Sequence, residues 1–161
     1  MELLIILFAI LFFITFLKSN RGKGIRGELI VKFFLGKNKK GKKRIINNLT
    51  ILDENNMSHQ IDHILINNRG VFVIETKNYS GRIYGNEKEI NWTQVLAYGK
   101  IKHKLYNPIK QNQTHIINLK KIISYDVPYY SVIVFTKNNI SNITAKNVVG
   151  PLKLKKIVKS K

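Results

Sequence analysis

The stretch HQIDHILINNRGVFVIETKN, His59 to Asn78, decides the fold. Two runs rich in Ile and Val flank the turn Asn67-Asn68-Arg69-Gly70, which reads as a β-hairpin with strands near His59–Ile66 and Gly70–Lys77. Alternate positions on both faces are apolar: Ile61, Leu65, Phe72 and Ile74 on one, Ile64, Ile66, Val71 and Val73 on the other. Strands of that kind are covered on both sides and belong in the middle of a sheet. Yet Asp62, Glu75 and Lys77 interrupt them. Centring the hairpin on Asn68–Arg69 sets Asp62 opposite Glu75, and directly paired residues share a face with Cβ atoms about 4.5 to 5.5 Å apart. Lys77, two residues beyond Glu75, projects from the same face.

Opposed carboxylates in an apolar sheet resist ionisation through desolvation and mutual repulsion, so something must compensate. A divalent cation on hard oxygen ligands does so economically, and for two carboxylates and a backbone carbonyl that means Mg²⁺ or Mn²⁺ before zinc. Lys77 beside it could orient a water, help deprotonate it, or stabilise charge developing on a phosphate. The bland alternative is an exposed Glu75–Lys77 pair with a solvated Asp62 nearby.

Outward from the hairpin, ELIVKFFL carries Leu29, Ile30, Phe33 and Phe34 at helical spacing, predicting a helix over about Arg26–Leu35 after a flexible basic linker, GKGIRG. GKNKKGKK, residues 36–43, reads as a basic loop, and RIINNLTIL after it as a strand or a passage into one. YSGRIYG suggests a turn and a third strand. Pro108 fits a first helical position, with Ile109, Ile116, Leu119 and Ile123 on one face of the helix that follows. YYSVIVFT predicts a further strand, and GPLKLKKIVKSK a basic final helix or tail. Helix, antiparallel hairpin, helix and strand describe an α/β sandwich with a mixed central β-sheet flanked by helices.

Composition bounds the partners. Among 161 residues, 28 Lys and Arg face 9 Asp and Glu, a net charge of +19 spread along the chain. Lys, Asn and Ile are all abundant, so part of the excess is compositional, but the balance favours a polyanion, either nucleic acid or an anionic membrane surface. The absence of cysteine excludes disulfides and Cys-based zinc sites. MELLIILFAILFFITFL, Met1–Leu17, carries one charge, and Lys18, Arg21, Lys23 and Arg26 follow it. Seventeen helical residues span roughly 25 Å, a little short of a bilayer core of about 30 Å. A cleavable signal would place basic residues first and a small-residue cleavage site after. The expected reading is a transmembrane anchor over 1–18, a basic linker over 19–25, a domain over 26–140 and a basic C-terminal segment over 141–161, with the domain on the cytoplasmic side of the cell membrane.

GE at Gly27–Glu28, QIDHILINNRGVFVIETKNYSGRIYG at 60–85, Trp92, and NPIKQNQTHIINLKKII at 107–123 together resemble the nuclease-related domain family, in order over about 24–136. That family is regarded as a branch of the PD-(D/E)XK nucleases, with a restriction-endonuclease-like core. The resemblance implies that Asp62 and Glu75 are metal ligands, joined by the Thr76 carbonyl, and that Lys77 is the catalytic lysine. It also implies that Glu28 is a further acidic residue near the metal; on its own context Glu28 is equally a charge favourable to a helix N-terminus. Gln60, Asn107 and Gln111 match the family pattern as substrate contacts, although polar residues beside a turn and a helix start also serve as caps. Ile61 stands where the superfamily signature has proline. His59, His63, His103 and His115 invite a metal or general-base reading, but His63 neighbours Asp62 and so faces the opposite side, which suits a core or substrate-side residue. The function implied is a membrane-anchored Mg²⁺-dependent nuclease acting on DNA rather than RNA. The alternative is a weakly active or inactive nucleic-acid-binding or scaffolding module.

Overall fold

The computed structural model describes residues 1–137 and 139–158. In chain order its elements are α1 (Glu2–Lys18), α2 (Asn20–Leu35), β1 (Lys43–Leu52), β2 (Ser58–Asn67), β3 (Gly70–Lys77), β4 (Arg82–Asn86), β5 (Asn91–Leu96), β6 (Ile101–Tyr106), α3 (Pro108–Ile122), β7 (Tyr129–Phe135), β8 (Asn142–Thr144), β9 (Val148–Val149) and α4 (Pro151–Val158).

The hairpin has the expected register, paired from His63–Ile74 to Asn67–Gly70. Its turn needs glycine: Gly70 has φ +132°, and a Cβ there would lie 2.2 Å from the Pro128 carbonyl oxygen, which accepts from Val71 N at 2.9 Å. The sheet is mixed, in the order β1-β2-β3-β7-β9, with β3–β7 and β7–β9 parallel. A parallel neighbour requires a crossover, and here α3 and the second sheet supply it. Leu65, Phe72, Ile74, Val132 and Val134 pack on one face against Val31 and Leu35 of α2 and Leu154 and Val158 of α4. On the other face, Ile51, Ile64, Val71 and Val73 pack against Leu119 of α3. The α/β architecture, with mixed pairing and helices on both faces, therefore follows from strands apolar on both sides.

Several elements depart from expectation. Ile61 joins the Ile64–Val73 cluster, not the Leu65 side. Alternation reverses there because Asn48, on the partner strand, is left-handed (φ +53°), and Asn48 and Asp62 drop out of the ladder. Ile66 is 37% exposed at the turn end of the hairpin. The basic linker is helical: α2 begins at Asn20, and Ser19 caps it by accepting from Gly22 N at 3.1 Å. The polar segment after Trp92 forms β5 and β6 of a second sheet, ordered β6-β5-β4-β8. That sheet covers Ile83, Trp92, Ile109, Ile133 and Phe135. Of the basic final helix or tail expected at the C-terminal end, the helix forms as α4, and Val149 and Leu154 are fully buried.

None of the residues of α1 is buried. Among the described residues no single helix is long and apolar enough to cross a membrane; α1 and α2 meet that requirement only together, across a bend of 76°.

Candidate active site at the end of the hairpin

Beyond His63–Ile74 the regular ladder stops, and Asp62 Oδ2 instead accepts the Thr76 N–H at 2.8 Å. Glu75, on the β3 face covered by α3, is only 3% exposed. Its Oε1 accepts from Lys77 Nζ at 2.7 Å, and the same ammonium donates to Gln111 Oε1 of α3 at 3.0 Å. His115, one turn further along α3, brings Nε2 to 3.6 Å from Glu75 Oε2, an ion-pair separation too long for a hydrogen bond. Glu75 Oε2 and both His115 ring nitrogens are buried without hydrogen-bond partners. Asn112 fastens α3 over the sheet, donating to the Val73 carbonyl at 2.8 Å and to Ser131 Oγ at 2.9 Å.

Glu28 arrives from the other side. Gly27 lets α2 descend on the end of β3: a Cβ at that position would sit 2.9 Å from Asn78 Cβ and 3.3 Å from Thr76 Cγ2. Asn78 Nδ2 donates to the Lys23 carbonyl at 2.7 Å and fixes the contact.

The carboxyls feel one another. Burial, then the charge of Glu75 and more weakly that of Glu28, push Asp62 up to about 7 against the Thr76 N–H and Lys77. For Glu75, burial acts upward, but His115 and Lys77 outweigh it and hold the group below the usual carboxylate range. Glu28 is raised by burial and by Glu75. Burial alone would lower Lys77, but Glu75, Tyr79 and Asp62 overcome it and raise the ammonium. Of the three carboxyls only Glu75 is paired with the Lys77 ammonium, and both Asp62 and Glu28 are raised.

Hard oxygen donors, one of them an orphaned buried carboxylate oxygen, fit Mg²⁺ or Mn²⁺. Among the described residues no three His, Asp or Glu side chains converge as a ready-made cage. A magnesium ion does not need one, because it commonly keeps several waters and takes one or two carboxylates.

Glu28, Asp62, Glu75, Lys77 and Gln111 are therefore gathered together, with the Thr76 N–H as their link. Asn107 is fully buried and its side chain is satisfied by protein. Its Oδ1 caps α3 through Ile109 N at 2.9 Å, and its Nδ2 donates to the Asn86 and Glu89 carbonyls at 3.2 and 2.6 Å. That accounts for Asn107 without a substrate. Gln60 is exposed, and its hydrogen bond goes to Asn48 at 3.4 Å. His63 is buried against Asn47 Oδ1 at 2.8 Å, a core residue as its parity indicated. Sequence reasoning weighed His115 with the other histidines as a metal or general-base candidate and gave it no role, although Asn107, Gln111 and His115 recur every four residues and so share one helical face.

A mixed α/β sandwich with an aspartate, a Glu-X-Lys and a glutamine-bearing helix at one end of its sheet has the layout of a nuclease-related domain. The family model described as nuclease-related domain matches residues 23–136, from α2 to just past β7, and the chain belongs to that family. It is also 41% identical over 113 residues to an uncharacterized protein of Bacillus anthracis, across 70% of this chain and 52% of that one. The chain thus spans about half the length of that relative. No solved structure matches it.

Proposed function

We propose that the protein is a membrane-anchored, Mg²⁺- or Mn²⁺-dependent nuclease that hydrolyses DNA phosphodiester bonds on a restriction-endonuclease-like core. The observation that carries the reading is half-buried Asp62 beside buried Glu75, with Glu75 Oε2 lacking a hydrogen-bond partner and Lys77 Nζ alongside. The metal would be held by Asp62, Glu75 and the Thr76 carbonyl, with Glu28 nearby, and would supply Lewis-acid activation of a water and neutralise phosphate charge. Gln111 keeps the Lys77 ammonium beside the carboxylates, where it can hold the attacking water or stabilise charge developing on the phosphate. Burial of Glu75 strengthens each of these interactions by excluding solvent. A net charge of +19 attracts the substrate, and binding should weaken steeply with salt.

The anchor reading is supported by α1, apolar and exposed along its length, followed by Lys18, Arg21, Lys23 and Arg26. By the positive-inside rule these basic residues support a topology with the catalytic domain on the cytoplasmic side of the cell membrane. A reporter fused after Lys161 should then be active only in a cytoplasmic format.

One observation favours a second reading, a nucleic-acid-binding module without strong catalysis: Lys77 is already committed to both Glu75 and Gln111. The deciding assay uses the full chain in detergent with plasmid, linear and single-stranded DNA and with RNA, in Mg²⁺, Mn²⁺ or chelator. Cleavage that needs metal and is lost in Lys77→Ala supports the nuclease. Identical behaviour of the two proteins in every condition sinks it, and salt-sensitive binding without cleavage would support the module.

A further inference from the structure

α2 is apolar on two opposite sides. Val31 and Leu35 face the sheet, while Ile25, Leu29 and Phe33, spaced four apart, run along the far side at 42, 58 and 80% exposure. Opposing apolar stripes are not needed to fold a helix that packs on one sheet face. Two neighbours indicate what covers the outer stripe. The first is α1, apolar from Leu3 to Leu17 and exposed over most of that length, joined to α2 at a bend of 76°. A helix entering a bilayer at that angle leaves the next one lying nearly in the plane of the interface. The second is charge. Phe33 opens into a groove of about 600 Å³ whose other side chains include Lys37, Lys39, Lys42, Lys43 and Lys155, and among the described residues no acidic one lines it. Lys43 Nζ is spent on the Leu35 carbonyl at 2.6 Å, where it caps α2. Leu152, at the start of the adjoining α4, is 74% exposed.

An apolar ridge flanked by lysines and continuous with an apolar helix is the pattern of an element lying at a membrane surface. We propose that the outer face of α2, with the lysine loop after it and the edge of α4, docks flat on an anionic lipid bilayer. The proposal rests on the anchor reading of α1. It goes beyond a tether, because two connected contacts at a fixed angle set the orientation of the domain. The N-terminal turn of α2 lines the groove occupied by Lys77, through Asn20, Lys23 and Gly24. Docking therefore holds the mouth of the carboxylate site beside the headgroups at the α1–α2 elbow.

The test uses tryptophan depth. The one native tryptophan, Trp92, is 1% exposed and gives a shielded background. Phe33→Trp, Phe8→Trp on α1 and Ile117→Trp on α3, the opposite layer, are each reconstituted as full chains in vesicles of brominated phosphatidylcholine with and without phosphatidylserine. Vesicle flotation is measured in parallel. Bromolipid should quench the residue-8 and residue-33 probes and leave that at 117 bright, with quenching at 33 deeper when phosphatidylserine is present and shallower in high salt. Quenching at 8 without quenching at 33 overturns this inference and leaves the anchor standing. Absence of flotation and of quenching at both positions overturns the two together. Protection of the residue-33 probe by duplex DNA rather than lipid also overturns it, and makes the lysine groove a nucleic-acid surface.

Discussion

Replacing Asp62 by asparagine should stabilise the metal-free protein while it removes a ligand. In the folded chain the carboxyl titrates at about 7 against an ordinary 3.8, because burial and the Glu75 charge favour the protonated form. A shift of about three units at about 1.4 kcal/mol each sets a ceiling of ~4 kcal/mol. The sign follows from the upward direction: the stabilising contribution is complete below the unfolded value and is lost as pH rises through the folded one. Between pH 5 and 8 Asp62 should therefore remove roughly 3 kcal/mol from the stability of the metal-free wild type. The wild-type profile will not display this alone, because His63 opposes it. Burial, aided by Lys32, lowers His63 from 6.5 to about 4, so His63 adds about 2 kcal/mol over the same interval. The difference between Asp62→Asn and wild type isolates the carboxyl. Urea unfolding of both proteins in chelator at pH 5, 6, 7 and 8 should show the asparagine variant gaining on wild type by up to roughly 3 kcal/mol across the range. Saturating Mg²⁺ should then stabilise the wild type, by about 2.7 kcal/mol at a hundred times its dissociation constant, and the variant much less. A stability difference that does not change with pH, or an asparagine variant that is the weaker protein at pH 8, would refute the electrostatic reasoning.

Three further outcomes follow from the same geometry. His63→Gln should remove the contribution that opposes Asp62, so that the variant gains about 2 kcal/mol on wild type as pH falls from 7.5 to 5; a difference that does not change with pH in urea unfolding would exclude a titrating His63. Gly27→Val forces its side chain against Asn78 and Thr76 and should cost about 1 to 3 kcal/mol, with metal-dependent cleavage falling further than the melting temperature alone explains as Glu28 is displaced. Gln111→Ala removes one of the two acceptors of Lys77 and should lower kcat by about 10- to 100-fold with DNA affinity unchanged, while wild-type kcat in a folded variant would deny Gln111 a positioning role.

Much of the central hairpin was legible because its causes are local. Strand alternation, the closing turn and the pairing of Asn67 with Gly70 all follow from adjacent residues. The helix after Asn107 was equally readable, since Asn107 caps it and Pro108 opens it. What escaped was whatever depends on a partner distant in sequence. Glycines in GKGIRG read as flexibility, yet Gly27 is buried because α2 must touch β3. β5 and β6 carry exposed Lys102, His103 and Lys104, so no apolar alternation announced them. The last strands are very short and α4 is basic, and only the pairing of β9 at the sheet edge and the burial of Leu154 against the sheet make them core.

Sequence by itself determined that Glu75 and Lys77 would share one side of a doubly covered strand near the end of a hairpin that also carries Asp62, because strand period and turn length leave little freedom. Tertiary structure alone decided how those charges are arranged. Asp62 turns to the Thr76 N–H where the ladder ends, Gln111 and His115 reach Lys77 and Glu75 from a helix more than thirty residues away, and Glu28 is lowered in over a glycine. Burial pushes both carboxyls up, but His115 and Lys77 reach Glu75 and hold it low while Asp62 rises, and a pattern read along the chain carries neither the burial nor those partners.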